Sequence, residues 1–402
     1  MGKVHKKHKT EHEKHETICA FCVLYCASCG PFPSRRFAAA LLLIVALGVA
    51  LNPVFAHETL TTTVLFDREI VRILNNHCVM CHAENGPSFP LETYEQTWLQ
   101  GRKIRADVIA RHMPPWPAVP GYGQFANDNN LTLRETQFMV SWVEGLGPRN
   151  AGTVFTNVVD PGAARPKAVQ AQASFGHWQL GEPGLKRQLD AVTIESGLAN
   201  QIKRVVIDLG LSSERRVRAI EYMPGDRRVV RAAFFRVQET GQWIGSWTPW
   251  YGFTELPSGS SYRLPAGSHA VAEIYYRSAK ERVVERGTIG LFFADKPAPG
   301  AVLDLILDAK NSSTANRFHA ETPVIADTNV VALYPEVTPA VKSVEVSVRT
   351  PAGGTEVLLF AKDFAMDWPT PFVFKKTALL RRGSTLSLTA YGGPVKLTVS
   401  RY

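Results

Sequence analysis

Between residues 60 and 148 the apolar positions recur at helical spacing; from about residue 165 onwards they fall in short runs of strand type. Ile70, Ile73, Leu74 and His77 share one face and predict a helix over 67–77. Trp98, Ile104, Val108 and Ile109 predict a second over 93–111. A third is expected at 133–144, where Thr132 and Glu135 stand at capping-box spacing, Phe138, Met139, Trp142 and Val143 form the buried face, and Gly145 ends it. Met113 to Gly123 is a Pro/Gly-rich connection, and 148–167 reads as a linker. The strand-type runs are 216–222, 229–237, 270–276, 288–293, 303–307, 344–348, 357–360, 385–391 and 395–399. Turn formers such as Pro224-Gly225-Asp226, Pro265-Ala266-Gly267 and Pro351-Ala352-Gly353-Gly354 separate them. The expected fold class is multidomain: an all-α domain over 60–148, then two antiparallel, jelly-roll-like β-sandwiches over 165–308 and 309–402, the second truncated.

Composition supports a folded chain, with 45% hydrophobic and 20% charged residues. The net charge of +9 is less telling than it looks. Residues 1–36 hold seven Lys/Arg against three Glu, so +4 of it sits in a leader and +5 is spread over the rest. No basic run interleaves with aromatics, which excludes a nucleic-acid partner. Arg35 and Arg36 precede an apolar stretch, Phe37–Leu51, broken by Asn52 and Pro53 and followed by Val54-Phe55-Ala56. That pattern predicts a secretory signal within residues 1–56, and hence a periplasmic protein; membrane anchoring through residues 37–55 is the alternative.

The cysteines fall into two groups. Cys19, Cys22, Cys26 and Cys29 lie in the leader behind His5, His8, His12 and His15; three residues between the two Cys pairs is too short a loop for a zinc ribbon, so metal binding there is the lesser reading. Cys78 and Cys81 are the only cysteines after the signal, which excludes a disulfide framework. Cys78-Val79-Met80-Cys81-His82 is the haem c attachment signature: two thiols for the porphyrin vinyl groups and an adjacent histidine as proximal iron ligand. A redox dithiol is the competing reading, but it needs a βαβ context that the pattern lacks. For the distal iron ligand, Met80 is inside the motif and Met139 lies on a core face; Met113, before Pro114-Pro115-Trp116, is preferred, with His112 as fallback.

The run from His77 to Trp142 resembles the cytochrome c domain that precedes a copper type II, ascorbate-dependent monooxygenase-like region in bacterial proteins. The matching residues are Cys78-x-x-Cys81-His82, Gly86-Pro87, Leu91-x-Thr93-Tyr94, Arg111-x-Met113-Pro114-Pro115-Trp116, Phe125-x-Asn127-Asp128 and Trp142-Val143. In that family the methionine before Pro-Pro-Trp is the distal ligand, which the resemblance carries to Met113. Gly181-Glu182-Pro183, Pro224-Gly225 to Val230, Leu264 to Ser268 and Ile289-Gly290-Leu291 look like the framework of the peptidylglycine α-hydroxylating monooxygenase fold, which holds one copper per sandwich. This chain departs from the family's copper ligands. Arg231 and Ala232 stand for His-His, Tyr275, Tyr276 and Arg277 for His-Tyr-His, and Pro335 to Thr338 for Pro-His-Met-His; the chain also ends short of the copper-binding methionine segment. An arginine is a permanent cation and repels copper, so copper is not expected. His177, His269 and His319 are isolated, and Trp243 to Tyr251 is read as core rather than a stacking surface.

These observations together predict a mono-haem c-type cytochrome that transfers electrons to or from a redox partner protein, carried on copper-free sandwiches. The alternatives are a haem-fed oxidoreductase with its active site in the sandwiches, and a redox-sensing binding module.

Overall fold

Phe66, Ile70, Ile73 and Leu74, each at most 3% exposed, start the first helical face. In the computed structural model, which describes residues 62–151, 176–197, 200–294, 300–310, 312–314 and 316–402, a π-type turn at Phe66–Ile70 runs straight into α1, Val71–His77. The leader with its Cys/His cluster, the signal stretch and residues 152–167 of the linker lie outside the described residues. The long helix expected over 93–111 is two helices, α2 at Tyr94–Leu99 and α3 at Gly101–Ile109. Gln100 leaves helical geometry between them, and Thr93 caps α2 in a capping box with Gln96. The helix α4, Leu133–Glu144, starts and stops as its pattern predicts, with the Thr132–Glu135 box in place. Met139 and Trp142 of α4 are wholly buried against Ile70, Leu74 and Val79.

The β-region pairs sheets over two cores. In the first sandwich one sheet runs β1 (Leu185–Gln188), β11 (Thr288–Phe293), β4 (Arg215–Met223), β8 (Ser260–Leu264) and β12 (Gly300–Ala301), with β7 (Phe253–Glu255) also on β4. The other runs β3 (Gln201–Asp208), β9 (His269–Tyr276), β5 (Val230–Val237) and β6 (Trp243–Trp247); a two-stranded ribbon joins β2 (Val192–Ile194) and β10 (Val283–Glu285). In the second sandwich β13 (Leu303–Ala309), β21 (Val395–Arg401), β16 (Thr328–Glu336) and β19 (Phe372–Leu380) face β14 (Ser312–Thr314), β15 (Arg317–Pro323), β20 (Thr385–Tyr391), β17 (Ser343–Arg349) and β18 (Thr355–Lys362). Burial alternates residue by residue along β9, as expected where only one face of a strand meets the core. The strand β6 is buried throughout, and Trp243 and Trp247 of the tryptophan-rich run lie in the first core.

The expected fold class is corrected here. The described chain is predominantly β, its α-helices are four short ones, and residues 62–151 are not an all-α domain standing apart from the sheets. The reason is where the connection between α3 and α4 places its large side chains. Trp116 and Phe125 do not close a helical core; they sit with Phe372 and Phe374 inside the second sandwich, with ring centroids 5.1–6.1 Å apart. Backbone bonds stitch the same connection to the sheet edge, Val119 N–H to the Phe360 carbonyl at 2.8 Å and Ala126 N–H to the Val373 carbonyl at 2.7 Å. Asn127, 2% exposed, completes the join. Its amide donates to the Pro371 carbonyl at 2.6 Å, its side-chain oxygen accepts from Val373 N–H at 3.1 Å, and its own carbonyl accepts from the Trp250 indole of the first sandwich at 3.2 Å.

Two outcomes follow for stability. Asn127→Ala leaves the Val373 N–H without its side-chain acceptor and the Pro371 carbonyl with Thr370 alone as donor, at about 1–3 kcal/mol for the stranded group; chemical denaturation should show a loss of that size, and a loss below about 0.5 kcal/mol would remove Asn127 from this role. Burial raises the Glu135 carboxyl, but its bonds from Thr132 and the contact with His77 outweigh that and leave it below its ordinary value. A depressed carboxylate contributes stability above its unfolded pKa and loses it as pH falls through the folded one. Glu135→Gln keeps a capping partner but cannot titrate, so its thermal midpoint should fall less steeply than wild type on the acid side.

Candidate functional site

One cavity of about 340 Å³ lies where the helical segment meets both sandwiches. Cys78, Cys81 and His82 line it from the chain after α1, Ile104 and Val108 from α3, Met139 from α4, Arg231 and Arg277 from the first sandwich, and Asp367 and Trp368 from the loop before β19.

The local chain explains how the motif presents itself. Cys78 caps α1 through its N–H to Leu74, and the following turn continues helically, His82 N–H donating to the Cys78 carbonyl at 2.9 Å. Val79 is wholly buried and pins the turn into the helical core. The chain then folds back, Ser88 N–H to Cys81 at 3.1 Å and Leu91 N–H to His82 at 2.7 Å; a side chain at Gly86 would collide with the Cys81 carbonyl. Arg227 Nη2, from the Pro224–Arg228 turn of the first sandwich, donates to the Met80 carbonyl at 3.0 Å. That turn is held by Glu285, 1% exposed, which accepts from Gly225 N–H, Tyr222 and Tyr276 at 2.8–3.2 Å.

The His82 ring lies edge-on to Phe89, centroids 4.6 Å apart, and its Nδ1 is 2.8 Å from the Phe89 carbonyl. A carbonyl can only accept, so Nδ1 carries the proton and Nε2 keeps its lone pair for a metal. Burial lowers the His82 pKa further, favouring the neutral ring that metal ligation needs. Both cysteines are free, and burial pushes both thiols up to about 12. A disulfide-exchange site needs a thiol that ionises readily, and burial works against that at both positions.

Met113 also lines the cavity. Arg111, at φ 56°, takes the left-handed conformation that ends α3, and His112 and Met113 N–H both return to the Asp107 carbonyl. Met113 is 39% exposed, whereas Met139 is fully buried in the helical core. His112 does not line this cavity; it lies beside Asp107 at 3.8 Å, facing a shallow cleft near Val341. His77 lines the cavity but is engaged by Asn129 at 3.1 Å and Glu135 at 3.3 Å.

The donor set therefore fits haem c: two thiols, an imidazole with its free nitrogen selected, a thioether, apolar walls and a buried Arg231 Nε without a hydrogen-bond partner. The Cys78-Cys81-His82 turn and Met113, some thirty residues further on, meet at one cavity. Lys103, Asp107, Arg231, Arg277, Asp367 and Trp368 were not singled out by sequence as lining residues; the only signal was two arginines at positions where the resembled family has histidines. Among the described residues no group of three or more His, Cys, Asp or Glu could hold a metal ion. His269 pairs with Glu239, His319 contacts Thr389 and Glu321, and His177 is exposed. A second cavity, of about 410 Å³ between the sandwiches, is lined by the stacked Phe234 and Tyr334 together with Tyr275 and shares Trp368 with the first. No helix among the described residues is long and apolar enough to cross a membrane.

No protein-family model and no curated protein matches the chain. Among solved structures it is similar to an allantoicase, at 10% identity over 51% of this chain and 78% of that one, with a TM-score of 0.19. It is likewise similar to the major capsid protein P2 of bacteriophage PM2, at 10% identity over 54% and 97% with a TM-score of 0.20. The tandem CBM22 domains of Xyn10C from Paenibacillus barcinonensis share 9% identity over 53% and 92%, with a TM-score of 0.15. TM-scores this low carry no argument about fold or chemistry, and what the chain does has to be read from the cavity.

Proposed function

We propose that this chain is an exported, mono-haem c-type cytochrome that transfers electrons with a redox partner protein, its sandwiches serving as a copper-free platform. One observation carries the reading: a Cys-x-x-Cys-His turn and Met113 open into the same apolar-walled cavity, with the His82 ring held so that Nε2 is free. Cys78 and Cys81 would supply the thioether bonds, His82 the proximal nitrogen and Met113 the distal sulfur. When bound, haem c supplies a one-electron couple, and methionine ligation raises its potential. The protein's own part is to fix the His82 ring through Phe89, to exclude water with Leu91, Ile104 and Val108, and to close the outer side with Trp368. The resemblance to the cytochrome c region of copper monooxygenase-like proteins agrees with this, as do the arginines where that family has copper ligands. A second reading, an oxidoreductase fed by the haem, is favoured by the neighbouring cavity between the sandwiches, which Trp368 separates from the first.

Expression of the full chain with the haem c maturation machinery should yield one covalent haem, one iron and no copper per chain by elemental analysis and pyridine haemochrome. Cys78→Ser together with Cys81→Ser should abolish covalent attachment; retention of covalent haem in that variant would sink the reading, and stoichiometric copper would move the oxidoreductase reading ahead. Met113→His should keep the haem and lower the midpoint potential, since bis-histidine ligation favours the ferric state. An unchanged potential and unchanged ferric spectrum would place the distal ligand elsewhere.

A further inference from the structure

Arg231 and Arg277 both line the cavity, close enough for the charge of one to act on the other. Arg231 is the extra residue in the bulge of β5 against β9, where the pairing shifts between Val230 and Ala232. A bulge re-aims a side chain out of the normal alternation, and this one delivers Arg231 to the cavity. Arg277 follows the last residue of β9, its N–H held by the Val229 carbonyl at 2.8 Å, and lines the same cavity.

Two guanidinium groups brought together repel each other unless an anion lies between them. Arg231 has a partial partner: its Nη1 is 2.6 Å from Asp367 Oδ2, but the geometry is not that of a hydrogen bond, and its buried Nε has no partner. Asp367 is itself shared with Asn200 at 2.9 Å, and Trp368 lies under the Arg231 guanidinium at 5.4 Å. Arg277 has no ion-pair partner among the described residues. Burial, and then the charge of Arg231, hold its guanidinium below its ordinary value. The other cation of the lining, Lys103, is paired with Asp107 at 3.0 Å. A chamber with apolar walls on one side, and on the other Arg277 without an ion-pair partner among the described residues and Arg231 with a buried Nε still unbonded, matches an amphipathic ligand that is apolar over most of its surface and carries carboxylates at one edge.

We propose that Arg231 and Arg277 are the clamp for the propionate carboxylates of the haem attached at Cys78 and Cys81. The inference rests on the haem reading above and adds a role for the first sandwich: it is the electrostatic wall of the haem site. Positive charge close to the haem would disfavour the ferric state, which carries one more positive charge, so the clamp would hold the reduction potential up.

The test uses full-length protein matured with haem, as wild type, Arg277→Gln, Arg277→Lys, the Arg231→Gln/Arg277→Gln double variant, and Arg282→Gln as an exposed control outside the cavity. Covalent haem is read by pyridine haemochrome and the midpoint potential by redox titration across pH. The expected result is a midpoint lowered in Arg277→Gln and further in the double variant, largely restored in Arg277→Lys, unchanged in Arg282→Gln, with covalent haem retained throughout. Haem present but equal midpoints and equal pH dependence in wild type and Arg277→Gln would overturn the clamp and leave the haem reading standing. Absence of haem from the wild type would overturn both. Should the double variant fail to fold, the Arg277 pair alone decides, because Lys and Gln there differ in charge at an accessible position.

Discussion

The helical segment and the two sandwiches are joined beside the cavity through the hydrogen bonds of one buried amide. Asn127 stands in the connection between α3 and α4 and reaches Pro371 and Val373 of the second sandwich, while its carbonyl takes the Trp250 indole of the first. Three parts of the chain are thereby held at one point. The carbonyl of Pro371 only accepts and the N–H of Val373 only donates, so a carboxamide, with one group of each kind, meets both; a carboxylate would face an acceptor with an acceptor. Around that point Trp116 and Phe125 pack into the second core, and the loop carrying Asp367 and Trp368 is drawn over the cavity.

The chemistry of the cavity follows from unequal walls. The helical side contributes Leu91, Ile104, Val108 and Met139, and burial there raises the two thiols and lowers the His82 imidazole. The sandwich side contributes Arg231 from the β5 bulge, Arg277 from the end of β9 and Asp367 from the loop before β19, while α3 adds the Lys103–Asp107 pair.

What was legible in the sequence was local. The Thr132–Glu135 box marks the start of α4 because both partners lie within one turn, and Thr288–Phe293 reads as a strand because its neighbours are turn formers. Cys78, Cys81 and His82 could be read together because one helical turn carries all three. The independence of the helical segment could not be judged that way. Trp116 and Phe125 look like parts of a helical core until Phe372 and Phe374, far along the chain, are seen beside them. Arg231 and Arg277 were legible only as departures from a histidine pattern; that they share a cavity with Cys81 depends on a bulge and a strand pairing that no local window contains.

The position of Trp368 and Asp367 in the chain has a consequence for the order in which the molecule is made. They close the outer side of the cavity but belong to the last sandwich, so the first part of the chain can fold its helical turn with the two thiols facing an open groove. Contacts between residues so distant in sequence form late, because closing the long intervening loop costs entropy before any contact rewards it. A group as large as the cavity would therefore enter most easily before β19 docks and Trp368 takes its place in the wall.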